Sequence, residues 1–431
     1  MPEASIRFAL SNPGVPTVLV GYSDIDHLEK SVQYASRGVL PSDAACSIAR
    51  NLGWICEITM NEILGNLDSL RSAMDTGEFD AIIAMSPENV PYTSGVGIWS
   101  QKVIRDRLAL VVWPREGDPT LIVATNEEGY VKEKSWISDV RGYRQHADTP
   151  IKLLSDVLQE KGLSSGRIGF EPAYLTTDYY LELLETMPEA EFKSCEPMLQ
   201  RVRMIKTDIE IDILSRGAMA TERALMATYS TSRPGEKERD LVARLGANIM
   251  QAGAELPSFL FFTVGPNSGY AHPDPTDIEL QPNDILKADC GGWFNGYFSD
   301  IGRTVVVGKA TDEQHSIYNR LAEVHRKTIA TMQCGVNANE VYRQNVEFYK
   351  EADIEFSLPF AGHGLGLYIH EMPMLAAYDD TPLAPNMVFA VETRVRWPGV
   401  QGFHIEDLVV IREEGPEIIT TFMDTSRLLE L

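Results

Sequence analysis

Lys287-Ala-Asp289-Cys-Gly-Gly-Trp-Phe-Asn295-Gly296-Tyr-Phe-Ser-Asp300-Ile-Gly-Arg-Thr304 sets an Asn-Gly pair between two apolar, β-prone runs. Asn-Gly is the strongest short-range signal for a two-residue type I′ hairpin. With the turn at 295 and 296, cross-strand partners have numbers that sum to 591, so Asp300 faces Gly291. Gly291 shares a face with Asp289 because side chains alternate along a strand. The two aspartates therefore point the same way, one diagonal step apart, roughly 7–8 Å between β-carbons. Two like charges on an otherwise apolar face are costly unless a cation joins them.

A second hairpin repeats the pattern. Val388–Trp397 reads as a strand, Pro398-Gly399 as a turn, and Gly402–Ile411 as the returning strand. Glu392 and Glu406 are embedded in this buried-looking β sequence, and His404 shares the face of Glu406 at i, i+2. Between the hairpins, Phe360-Ala-Gly-His363-Gly-Leu-Gly-Leu-Tyr-Ile-His370-Glu371 is glycine-rich enough for backbone to approach a site closely. Asp289, Asp300, His363, Glu392 and Glu406 thus form a carboxylate and imidazole set of the kind that holds a pair of divalent ions. Such donors suit Mn, Fe, Co or Zn, and no thiolate belongs to the group. Paired ions of this kind polarise a carbonyl and ionise water at neutral pH, which is equipment for hydrolysis.

The order of these residues, together with Gly265-Pro-Asn-Ser-Gly-Tyr-Ala-His272, Gly362-His-Gly-Leu-Gly366, Ile369-His-Glu371 and Ile405-Glu-Asp407, resembles the pita-bread metallopeptidase superfamily. That group holds methionine aminopeptidase, Xaa-Pro aminopeptidase, prolidase and creatinase relatives, and the pattern is most similar to short microbial prolidases. The resemblance covers residues 200–425 well and 55–190 more loosely. It implies an α/β (α+β) chain: an N-terminal creatinase-like α/β domain, then a C-terminal pita-bread α/β/β/α catalytic domain. It also implies roles. Asp289 chelates one ion, Asp300 and Glu406 bridge the two, His363 completes one and Glu392 the other. Glu392 shuttles the proton of the attacking water, and His272 and His370 hydrogen-bond the substrate and the developing tetrahedral intermediate.

Two departures leave the substrate open. Prolidases often carry an arginine after the His-Glu pair, where this chain reads His370-Glu-Met-Pro-Met374, and another two residues before the last glutamate, where it has His404. Both changes remove a permanent positive charge that would hold a carboxylate bidentately. A compensating role for Arg394 or Arg396 competes with the more ordinary reading of either as an ion-paired or solvent-facing arginine; His272, His370, His404 and Arg394 are the expected substrate contacts. The expected reaction is amide hydrolysis in Xaa-Pro-type dipeptides or a related small amide. The alternative is a creatinase-like C–N hydrolase or a lyase acting on a small non-peptide substrate.

Composition and patterning frame this reading. A length of 431 residues, 44% of them hydrophobic, suits a large core. The formal charge of −24 disfavours nucleic-acid and anionic-membrane partners, which need basic surfaces. No apolar run reaches the ~18 residues of a membrane span. The N-terminus lacks the form of a secretory signal, and five scattered cysteines suit reduced thiols, so a cytoplasmic protein, by resemblance a homodimer, is expected. Cys290 is expected to point away from its neighbouring ligand, into the core.

Three stretches are expected: an extension over 1–52, a creatinase/prolidase-like domain over 53–197 and the catalytic domain over 198–431. Residues 1–40 resemble the C-terminal end of an aldo-keto reductase, without the barrel needed for dinucleotide binding. Residues 58–197 alternate apolar runs with helical patterns, including Met60–Met74 and Thr177–Thr186, the signature of a parallel or mixed sheet. Tyr92 and Trp99 fall in an expected loop. Thr207 with Glu210 predicts a capping box and a helix to about Tyr229, a second helix runs from about Glu236 to Ala252, and Asn337 with Glu340 predicts a capped helix over 338–351.

Overall fold

A computed structural model describes Arg7, residues 25–37 and residues 65–431 except 77, 105 and 357. The helix Ile25–Ser36 belongs to a different unit from residues 65–431. The first part of the expected helix Met60–Met74 lies outside the described residues, and what is described is Leu67–Met74.

Short runs that are apolar along their whole length form strands covered on both faces. They are β1 (Ala81–Ala84), β2 (Leu110–Pro114) and β3 (Thr120–Ala124), joined by β4 (Asp139–Tyr143), β5 (Arg167–Phe170) and β6 (Glu191–Ser194). They make one six-stranded sheet in the order β4-β3-β2-β1-β5-β6. It is mixed, antiparallel at β1–β2 and β2–β3 and parallel elsewhere. Tyr92 and Trp99 lie in short helices, Asn89–Ser94 and Trp99–Val103, rather than in a loop. The apolar Val90, Pro91 and Tyr92 bury the first of these, which overrides the turn-like composition around it.

The second half is built from two five-stranded sheets. One contains β7 (Pro257–Val264), β8 (Ile285–Phe294), β9 (Tyr297–Phe298) and β10 (Ile301–Val306), and is completed by the C-terminal strand Leu429–Glu430. The other contains β11 (Phe360–Gly364), β12 (Glu371–Ala376), β13 (Val388–Trp397), β14 (Gln401–Arg412) and β15 (Gly415–Ile418), with Leu429–Glu430 forming the β16 of the first. Helices Asp208–Thr231 and Glu238–Gln251 cover the first sheet, and Asp312–Thr331 and Ala338–Glu351 cover the second. β14 packs against β8 and β10, so the sheets meet face to face between helical layers. This is the α/β/β/α pita-bread arrangement.

Thr207 and Glu210 form the expected capping box. Asn337 begins its helix without a side-chain cap bond, so the expected box is absent there, whereas Thr311 and Gln314 make one ahead of the helix Asp312–Thr331.

Candidate metal centre

The first hairpin closes in the expected register. Asn295 and Gly296 both take positive φ, 53° and 80°, as a type I′ turn requires. Trp293 pairs with Phe298 and Cys290 with Ile301, keeping the sum of 591 on both sides of Ser299 and Asp300. Ser299 donates its backbone N–H to Gly292, and its hydroxyl meets that of Thr221 at 2.7 Å, which fixes the step beside Asp300. Cys290 is fully buried, as expected of a side chain in the core.

The second hairpin places Glu392 opposite Glu406 and Arg394 opposite His404. Alternation then divides its residues. Val395, Phe403 and Ile405 pack toward the helices with Tyr318, Leu321 and Tyr349, while Glu392, Arg394, His404 and Glu406 share the other face. That face looks onto the aspartate-bearing hairpin.

The two hairpins and β11 bring Asp289, Asp300, His363, Glu392 and Glu406 to one cavity of about 350 Å³, with His272 and His370 also on its wall. His363 Nε2 stands 3.6 Å from both Asp300 and Glu392, and its Nδ1 bonds the Gly364 carbonyl at 3.1 Å. That backbone bond orients the imidazole toward the carboxylates. Two donor groups converge: Asp289, His404 and Glu406, and Asp300, His363 and Glu406, each with its ligand atoms within 4.8 Å of one another. Glu406 belongs to both.

The electrostatics favour a cation. Four carboxylates line the cavity and Arg394 is the one permanent cation on its described wall, paired with Glu392 and lying over the Phe360 ring. With all four ionised, three negative charges would stand uncompensated, which two dications would more than neutralise. Burial first, then the charge of Asp289, pushes Asp300 well above the usual carboxylate range; burial, then Asp300 and Asp289, does the same to Glu406. Burial also works to raise Asp289, but His272, His404 and Arg394 outweigh it and hold its carboxyl low. Burial drives His363 down to about 3 and lowers His370, leaving neutral imidazoles fit to ligate or donate. Glu406 Oε2 and His404 Nε2 are buried without a hydrogen-bond partner. Orphaned buried polar atoms of this kind are rare, and the donor set fits divalent ions.

A buried network behind the site holds it in place, and most of it escaped the sequence reading. Arg303 donates to the Glu406 carbonyl, to Glu222 at 2.6 Å and to Asp407 at 2.8 Å. His325 bridges Asp407 at 3.0 Å and Thr393 at 2.9 Å. Beside His370, Glu371 pairs with Lys206 at 3.1 Å and Arg203 at 3.3 Å. The available signal was charge set inside apolar strand sequence, at Arg303 and Asp407. His404 does not line the main cavity; it sits behind Glu392 and Glu406, beside a small internal space shared with Lys287 and Arg396.

Residues 212–413 match the model of metallopeptidase family M24, and residues 66–205 match that of the creatinase/prolidase N-terminal domain. The chain carries an M24 metallopeptidase domain. The chain is similar to the Xaa-Pro dipeptidase of Pyrococcus furiosus, 29% identical over 82% of this chain and 97% of the relative. Among solved structures it is similar to an Xaa-Pro dipeptidase from Bacillus anthracis, at TM-score 0.73 and 28% identity, covering 85% of this chain and 99% of the other. The X-Pro aminopeptidase of Thermotoga maritima shares the fold, at TM-score 0.76 and 24% identity, over 85% of this chain and 100% of that one. Neither family match reaches residues 1–65, and the stretch 1–40 has no support as an aldo-keto reductase end; most of it lies outside the described residues. No described helix is long and apolar enough to cross a membrane.

Proposed function

We propose that the M24 domain holds two divalent ions through Asp289, Asp300, His363, Glu392 and Glu406 and hydrolyses the amide bond of Xaa-Pro-type dipeptides or a related small amide. The observation that carries this is the pair of donor groups sharing Glu406. The names of the dipeptidase relatives supply the substrate class. When bound, such cations polarise the scissile carbonyl and supply an ionised water at neutral pH.

The chain's own groups do the rest. Glu392, on the cavity wall, takes the proton of the attacking water and delivers it to the leaving amine. His272 and His370 donate to the carbonyl oxygen as it gains charge. Arg394 meets the substrate carboxylate from its place on the same wall, replacing the arginines lost at Met374 and His404. Phe259, Phe261, Phe298 and Ile369 give the remaining wall an apolar character, which suits a hydrophobic first residue in the dipeptide.

We further propose a three-part chain, an extension over 1–52, a creatinase/prolidase-like domain over 53–197 and the catalytic domain over 198–431, working as a cytoplasmic homodimer. Trp99 and Val103 are each 56% exposed on one short helix, apolar surface that a second copy would cover. The creatinase-like or lyase alternative is not favoured, because the donor set is complete. A screen of Xaa-Pro and other dipeptides with added Mn, Co or Zn tests the reading. Metal-dependent release of proline supports it; inactivity on every dipeptide with every metal contradicts the peptide substrate.

A further inference from the structure

His404 is built into the wall of the site in a way that substrate contact does not explain. It is 2% exposed and absent from the cavity surface, so a substrate in the cavity does not reach it. Its backbone is clamped to the neighbouring sheet: its N–H donates to Thr304 Oγ1 at 2.8 Å, and the Thr304 hydroxyl donates back to its carbonyl at 3.0 Å. The imidazole then points at three carboxylates. Nδ1 lies 3.7 Å from Asp289, and Nε2 lies 3.6 Å from Glu392 and 3.8 Å from Glu406. These separations exceed hydrogen-bond length, and Nε2 has no hydrogen-bond partner. Donors around one ion at ~2.1 Å stand roughly 3–3.5 Å apart, close to the spacing seen here.

Gly302 makes this placement possible. A Cβ at Gly302 would lie 2.7 Å from Cε1 and 2.8 Å from Nδ1 of His404, and 2.8 Å from the Glu406 Cβ. The absence of a side chain there leaves the space that the ring occupies. A histidine held on both sides, with Nε2 lacking a hydrogen-bond partner and aimed among carboxylates, has the surroundings of a ligand.

We propose that His404 is a sixth protein donor, binding through Nε2 the ion held by Asp289 and Glu406. This rests on the two-ion reading above and changes its chemistry. Each ion would then have one imidazole, His363 on one side and His404 on the other. A nitrogen donor on both sides moves selectivity away from oxygen-preferring Mn and Mg and toward Co and Zn. The arginine absent from this position would have offered a charge to substrate; the histidine offers an electron pair to metal instead.

The test uses the full-length protein, stripped with a chelator and reloaded with cobalt(II). Metal analysis gives the stoichiometry, and proton NMR gives the solvent-exchangeable imidazole N–H signals shifted by the bound ion. Two cobalt ions per chain are expected in the unmodified protein. His404→Gln is expected to abolish one shifted N–H signal, different from the one that His363→Gln abolishes, and to weaken cobalt binding by about 10–100-fold or more. If His404→Gln keeps every shifted signal, His404 is not a ligand, although two-ion binding stands. If the unmodified protein takes up no cobalt, the two-ion reading falls and takes this inference with it. X-ray absorption of the unmodified, loaded protein needs no variant. About one imidazole per cobalt supports the proposal, and about one half, from His363 alone, overturns it.

Discussion

Glu392 and Glu406 stand directly opposite each other on the β13–β14 ladder, on the face turned away from the covering helices. Like charges at directly opposed positions repel, and neither residue has moved to solvent: both are less than 5% exposed. Asp300 reaches the same cavity from the other sheet and shares the donor group of Glu406. The fold thus holds together a cluster whose repulsion protons or cations relieve, and this opposition generates most of what can be tested.

Asp300→Asn separates stability from function. Removing one carboxylate relieves repulsion in the ion-free protein, which should unfold at higher denaturant by about 1 kcal/mol or more. The same change should reduce metal affinity by more than about 100-fold and abolish turnover. Denaturation of the stripped variant, set beside metal analysis of the loaded one, checks both halves.

Protons and cations compete for the cluster. The folded pKa values of Asp300 and Glu406 are raised by burial and neighbouring carboxylates. Their contribution to ion-free stability is therefore full below the unfolded carboxylate range and lost as pH rises through the raised values. A bound cation removes that loss. The gap in Tm between loaded and stripped protein should widen from pH ~5 upward, and metal binding should release protons into the buffer. A gap independent of pH would contradict this.

Arg303→Met should be among the most destabilising single changes in the chain. It leaves Glu222 and Asp407, both about 2% exposed or less, without their cation. Breaking such a buried pair costs about 3–5 kcal/mol. Urea unfolding of the loaded protein gives the value, and loss below 1 kcal/mol would show that the network carries little of the site's rigidity.

His370→Ala tests the division between ligands and substrate contacts. Its ring sits 4.1 Å from that of His363 and on the cavity wall. Turnover should fall by about 10²–10³, while metal content stays at the level of the unmodified protein. Loss of metal in this variant would assign His370 to the ligand set.

Much of the site was legible because hairpin geometry is local. Asn295-Gly296 fixes a turn type, the turn fixes a register, and the register puts Asp289 and Asp300 on one side. The same holds for Glu392 and Glu406 across Pro398-Gly399. What stayed hidden depends on contacts between distant segments. His404 reads as a substrate contact when only its distance from Glu406 is known; its true surroundings come from Thr304 and Gly302 on the other sheet. Arg303, Asp407 and His325 meet across more than eighty residues of chain, and no periodicity announces that. At Asn337 the right residue type stands at the right place without making the bond, since the helix N-terminus is tied instead through the Thr381 and Asp379 carbonyls.

Anomalous diffraction from crystals of the loaded protein tests the central claim most directly. Two peaks flanking the Glu406 carboxylate, one toward Asp289 and one toward Asp300 and His363, are the predicted result. A single peak, or peaks that do not share Glu406, would contradict a two-ion centre built on that residue.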